Sequence, residues 1–201
     1  MQQTQITIEE IFADVSMAEC SQRGLLKLVR DMIFRLAEVY SEDHLYRYIG
    51  KCLQEIMPNS TVVVNSFDET SRLFQLRAIL SRDVKIQRLT NILGTNPLGM
   101  SLPINEGTRS ELMQGKLRRI EGGLRDLAHG VLTAEFCLML QKHLGISHVY
   151  IIGLTHNSEL LGSANFLMLS NDVPVDGELI QSIAHICSSA LYKSRQSVTL
   201  K

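Results

Sequence analysis

The order of hydrophobic patterns predicts an α+β fold, with helices gathered on one face of an antiparallel sheet and a helical and looped segment covering the other. Three observations carry that expectation. Two strand-rich hairpins, near residues 61–80 and 147–169, are separated by a mainly helical stretch. Apolar residues recur at alternating spacings of 4 and 3 near both ends of the chain. With 45% apolar and 20% charged residues among 201, the composition is globular, and the length suits one core domain with some appended helix.

Leu25, Val29, Met32, Leu36 and Val39 draw a narrow apolar seam along a first helix, a spacing that suits helix pairing. Ser41 offers a cap, and Leu45, Ile49, Cys52 and Ile56 continue the pattern until Pro58. The β-branched run Thr61 to Val64 and the alternating Phe74, Leu76, Ala78 and Leu80 form a hairpin around turn residues Asp68 to Arg72. Ser81 is read as the cap of a short helix over Val84, Ile86, Leu89 and Leu93, stopped at Gly94. Met100, Leu102 and Ile104 alternate with polar residues, and Pro103 among them implies an edge strand. Thr108 to Glu111 matches a capping box for a short helix ending at Gly115. Leu117 to Glu121 reads as extended, Gly122 and Gly123 break the chain, and Thr133 opens a helix carrying Phe136, Leu140 and Leu144 to a stop at Gly145. The second hairpin turns at Thr155 to Glu159. Asp176 then caps a last helix striped by Leu179, Ile183, Ile186 and Ala190.

Charge and motif content exclude several functions. A formal charge of −1 and a pI near 6.6 leave no positive field for nucleic acid. No apolar run approaches the roughly 20 residues of a membrane helix, and the N-terminus lacks signal-peptide character, so direct membrane contact is not expected and a cytoplasmic location is. Cys20, Cys52, Cys137 and Cys187 include no close pair and read as buried, reduced thiols. The six histidines form no HExxH or HxH, so no metal site is expected, and His44 and His156 read as surface residues. There is no GxxxxGK[ST] loop for nucleotide hydrolysis. The chain is expected not to be an enzyme by itself, and no catalytic residue is assigned.

The element order, with the phrases HVYIIGLTHNSELLGSANFLML and DGELIQSIAHICSSALYKS, resembles the GAF domain, a sensory fold of signalling proteins. The stretch SELMQGKLRRIEGGLRDLAHG and the helix ending QKHLGI are similar to GAF domains of prokaryotic sensor histidine kinases of methanogen type. The resemblance spans about residues 41–195. It implies a central antiparallel sheet of about six strands, terminal helices packed on one face, and a lid enclosing a small-molecule pocket on the other. It also implies pairing through the terminal helices, here from Leu25 to Val39 and from Leu179 to Leu191, in a homodimer. The domain then covers residues 25–195, with an N-terminal arm at 1–24 and a linker end at 196–201. No binding motif can be matched residue by residue, so the ligand is unknown and a ligand-free dimerising spacer is the rival reading.

Some members of the resembled family bind haem, and iron takes thiolate or imidazole ligands. Cys137, His143 and His129 fall in the expected lid, and His185 adds a further candidate partner for Cys137. The competing reading makes Cys137 a core residue, His143 a favourable charge at a helix end, and His185 a packing residue. Lys116, Arg118, Arg119 and Arg125 form a basic run suited to an anion or to solvent. Methionine sulfoxide reduction, known in free-standing relatives of the resembled family, would require the scattered cysteines to converge.

Overall fold

A computed structural model describes residues 27, 29–36, 42–82, 94, 96–128, 130–169 and 176–199. The chain divides into two units, Met1–Glu38 and Val39–Lys201. In the first unit residues 29–36 are helical, with Met32 and Leu36 buried and Ile33 and Phe34 exposed, in line with the expected seam. Leu25, Val39, the arm at 1–24 and the helix expected over Val84 to Leu93 lie outside the described residues, as does Ser41.

The second unit runs α1 (Glu42–Ile56), β1 (Ser60–Asp68), β2 (Leu73–Leu80), β3 (Ser101–Pro103), α2 (Glu106–Leu112), β4 (Arg118–Arg119), α3 (Gly123–Leu127), α4 (Ala134–Leu144), β5 (His148–His156), β6 (Glu159–Met168) and α5 (Gly177–Thr199). The strands make a six-stranded sheet in the order β3-β2-β1-β6-β5-β4, antiparallel at every described pairing. Strands distant in sequence, β1 and β6, therefore sit side by side at its centre. Pro103 lies in the edge strand, where its missing N–H costs no ladder bond. Asn157 and Ser158, at φ 47° and 61°, form the two-residue turn between β5 and β6, a conformation that matches strand twist.

Side chains alternate across the central strands. Val62, Val64, Ala164 and Phe166 point to one face and are almost wholly buried under α1 and α5. Tyr46, Ile49 and Leu53 of α1 and Ile180, Ile183 and Leu191 of α5 complete that layer, each buried to 1% exposure or less. The stripe that packs is Ile180, Ile183, Ala184, Cys187 and Leu191, whereas the expected Leu179, Ile186 and Ala190 are half-buried on its flank. Only Ile183 belongs to both stripes, because the helix is set on the sheet about one position round from the spacing that looked most regular. The helix also continues to Thr199, past the expected boundary at residue 195.

Two irregularities join this layer to the sheet. Arg77 is the extra residue where β2 shifts register against β1, and its guanidinium lies 5.3 Å from the centre of the Tyr46 ring. Leu161 is the extra residue where β6 shifts against β5. Its carbonyl accepts from the Tyr46 hydroxyl at 3.1 Å and from Arg195 Nη2 at 3.1 Å. Arg195 also donates to Tyr46 Oη at 2.8 Å and to Glu42 Oε1 at 3.2 Å. One buried polar junction thus links the first helix of this unit, the bulge and the last helix.

Caps explain most of the boundaries. Thr133 Oγ1 accepts from Phe136 N, Asp176 Oδ1 accepts from Glu178 N and Leu179 N, and Gly145 closes α4 at φ 69°. The capping box was expected three residues too late. Asn105 caps α2, its Oδ1 accepting from Thr108 N at 2.8 Å, while Glu111 pairs with Arg118 instead. An asparagine accepts a backbone amide as well as a threonine does, so both positions fitted the local pattern. The short helix α3 was not expected: Gly123, at φ 61°, turns the chain, and Gln141 Oε1 accepts the Leu124 N–H at 3.2 Å.

Candidate functional site

The other face of the sheet carries Thr61, Val63 and Asn65 of β1 and Asn165 and Leu167 of β6. Over them fold α3, α4 and the approach to β3. Between sheet and cover lies a cavity of about 120 Å³ with almost wholly apolar walls, to which Leu124, Leu127, Leu140 and Leu144 contribute. An apolar space of this scale offers room for a small ring. The cover is anchored beside the cavity by a second apolar cluster of Phe67, Phe74, Leu112, Ile151 and Leu160. There Gly153 lets α2 approach: a Cβ at that position would run into the Leu112 carbonyl. Ion pairs Arg109–Glu69 at 2.9 Å and Arg72–Glu106 at 3.0 Å tie α2 to the β1–β2 turn.

The polar groups of the cavity floor are few. Thr61 Oγ1 donates to Ser81 Oγ at 2.8 Å, and Asn65 Nδ2 donates to Ser163 Oγ at 3.1 Å. Asn65 Oδ1 and Asn165 Oδ1, on residues exposed by 2% and 1%, accept no hydrogen bond. Each such orphan costs about 1–3 kcal/mol, and both oxygens are shielded from the cavity as well as unpartnered. Neither asparagine was singled out from sequence. The available signal was an Asn within each of the runs VVVNSF and SANFLML, because asparagine is depleted from strands and interrupts otherwise apolar ones.

The described haem-ligand candidates, Cys137, His143 and His185, do not converge. Cys137 is buried at the cavity wall, and burial raises its thiol pKa, which favours the neutral thiol over a metal-binding thiolate. His143 is exposed on α4. His185 is exposed on α5, on the opposite face of the sheet, with its ring 6.1 Å from His156. His129 lies outside the described residues. His156, expected at the surface, is half-buried: Tyr192 lies 4.8 Å away ring to ring, and Ser189 Oγ is 3.2 Å from Nδ1. Among the described residues no group of three or more His, Cys, Asp or Glu is placed to hold a metal ion.

The three arginines of the basic run are neutralised locally. Arg118 pairs with Glu111, Arg119 with Glu121 at 3.6 Å and Arg125 with Asp126 at 3.0 Å, all at the surface. The described cysteines are free and buried, Cys52 and Cys187 near each other under the helical layer and Cys137 across the sheet. No helix among the described residues is long and apolar enough to cross a membrane.

No protein-family model matches the chain, and no curated protein matches it. Solved structures do. The chromophore-binding domain of an unusual bacteriophytochrome from R. palustris superposes with a TM-score of 0.64 at 15% identity, over 88% of this chain and 62% of that one. The GAF domain of the cyanobacteriochrome TePixJ gives 0.56 at 13% identity, over 80% and 94%. The GAF domain of an Acinetobacter phosphoenolpyruvate-protein phosphotransferase gives 0.57 at 10% identity, over 86% and 95%. The chain therefore spans less than two thirds of the R. palustris domain and nearly the whole of each isolated GAF domain. At these identities the likeness is one of fold, and the fold is that of the GAF domain.

Proposed function

We propose that the chain is the small-molecule-binding sensory domain of a signal-transduction protein, a cytoplasmic two-component sensor histidine kinase. The observation that carries this reading is the apolar cavity between the sheet and residues 97–144. Strand β6 supplies the coupling: Asn165 and Leu167 face the cavity while Ala164 and Phe166 face the helices, so a ligand that displaces the strand is felt on both sides. The Tyr46, Leu161 and Arg195 junction passes that displacement to α1 and α5. The segments from Leu25 to Val39 and from Leu179 to Leu191 pair with their counterparts in a second copy, and binding shifts the population between two arrangements of that pair. The domain does no chemistry itself; phosphoryl transfer belongs to another segment of the signalling protein.

Its test is thermal unfolding of the purified chain with a panel of uncharged metabolites, since a molecule that binds only the folded state raises the midpoint by mass action. A panel that moves nothing, with a stable dimer by native mass measurement, favours the ligand-free dimerising spacer. Haem is the weaker ligand: the cavity offers room for about one small ring, and of the described candidate axial groups Cys137 alone lines it. A Soret band after reconstitution that disappears in Cys137→Ala would reverse that ranking.

A further inference from the structure

What the cavity wall withholds is as specific as what it offers. Three polar side chains stand on its floor, and their mapped polar atoms are committed or covered. The Thr61 hydroxyl donates to Ser81, the Asn65 amide donates to Ser163, and the Oδ1 atoms of Asn65 and Asn165 are shielded. Among the described residues no charged side chain lines the cavity. The surface that a guest would touch is therefore almost all carbon, supplied by the sheet and by α3 and α4. The space is partly open, which gives a small molecule a way in. An atom that hydrogen-bonds to water outside would lose that bond on entry and find no replacement, whereas a hydrocarbon loses none and removes apolar surface from water.

We propose that the cavity takes bare hydrocarbon about the size of a single ring and rejects any molecule that must bring a hydrogen-bonding atom inside, so that the domain responds to an uncharged hydrocarbon. This deepens the sensory reading and rests on it. The selection is made by exclusion: the wall offers no hydrogen bond to reward a polar guest, and the guest's unpaired polar atoms set it apart from a hydrocarbon of the same shape. Ions are rejected more strongly still, because a buried charge without a counter-charge has the largest desolvation cost.

Benzene and pyrazine test it by calorimetric titration against the intact chain. The two are nearly the same shape, but pyrazine carries ring nitrogens at opposite ends, so no orientation keeps both at the opening. Benzene is expected to bind roughly tenfold or more tightly than pyrazine, with a negative heat-capacity change. Two readouts place it in the cavity. Benzene should slow iodoacetamide labelling of Cys137, which lines the wall, and leave Cys187 on the helical face unchanged. Ala128→Leu adds carbon at the wall and should abolish benzene binding; Val63→Ile, a smaller addition on β1, should weaken it and serves if the first variant does not fold. Pyrazine binding as tightly as benzene would overturn the hydrocarbon requirement while leaving ligand sensing intact. Benzene binding that survives the filled cavity, with Cys137 unprotected, would overturn the assignment to this site. If neither molecule binds, the proposed ligand class is overturned, and the wider metabolite panel then decides the sensory reading separately.

Discussion

A phenol taken fully out of water needs partners, and Tyr46 finds them in the carbonyl of Leu161 and the guanidinium of Arg195. Burial raises its pKa above the ordinary tyrosine range, so it stays neutral and keeps its proton for the Leu161 carbonyl. Tyr46→Phe keeps the ring and deletes the hydroxyl; urea unfolding should show a loss of about 1–2 kcal/mol. Asp68 is the contrasting surface case. Its carboxylate accepts from the Ser71 amide and hydroxyl, at 2.6 and 2.8 Å, and its pKa falls below the ordinary 3.8. A depressed folded-state pKa gives stability that is present above the ordinary value and is lost as pH falls through the folded one. Asp68→Ala should therefore lower the thermal midpoint near neutral pH, and the difference from wild type should close on acidification to about pH 2. A difference that persists there would assign the effect to something other than the charge.

At the scale of elements, caps and close approaches decide where the cover sits. If Asn105 rather than Thr108 is the N-cap of α2, Asn105→Ala should destabilise by about 1 kcal/mol and Thr108→Ala by clearly less, measured by denaturant midpoint. The reverse order would restore the capping box. Gly153→Ala tests the docking of that helix on β5, because the added methyl meets backbone and no rotamer change relieves it. A loss of about 1–3 kcal/mol is expected, with faster amide exchange in α2 than in α1 or α5.

The second unit as a whole is a sheet with a polar junction on one side and an apolar cavity on the other. Thiol accessibility reads both sides at once. Burial pushes the Cys52 thiol up to about 11 and Cys187 higher still, so at neutral pH all three described cysteines are protonated and shielded. Iodoacetamide should label them slowly in the native state, through local opening. A ligand in the cavity should slow Cys137 further while leaving Cys52 and Cys187 unchanged, because those two lie on the helical face. Equal protection of the three would mean that the ligand stabilises the fold globally without occupying the cavity.

The sequence by itself determined the class of fold, the two hairpins, the edge strand marked by Pro103 and the caps at Thr133, Gly145 and Asp176. These are local choices, made by alternation, by proline's missing donor and by side chains that reach a backbone amide two or three residues on. Tertiary structure decided which face of α5 packs, since the Leu179, Ile186, Ala190 stripe and the Ile180, Cys187, Leu191 stripe are both apolar and only docking distinguishes them. It also decided the site. Asn65 and Asn165 stand 100 positions apart in the chain and become neighbours only when β1 and β6 pair, a contact that no local pattern encodes. Cys137 and His185, which looked like candidates for one metal, are divided by that same sheet, because residues of similar chemistry are drawn together only where backbone pairing puts them on one face.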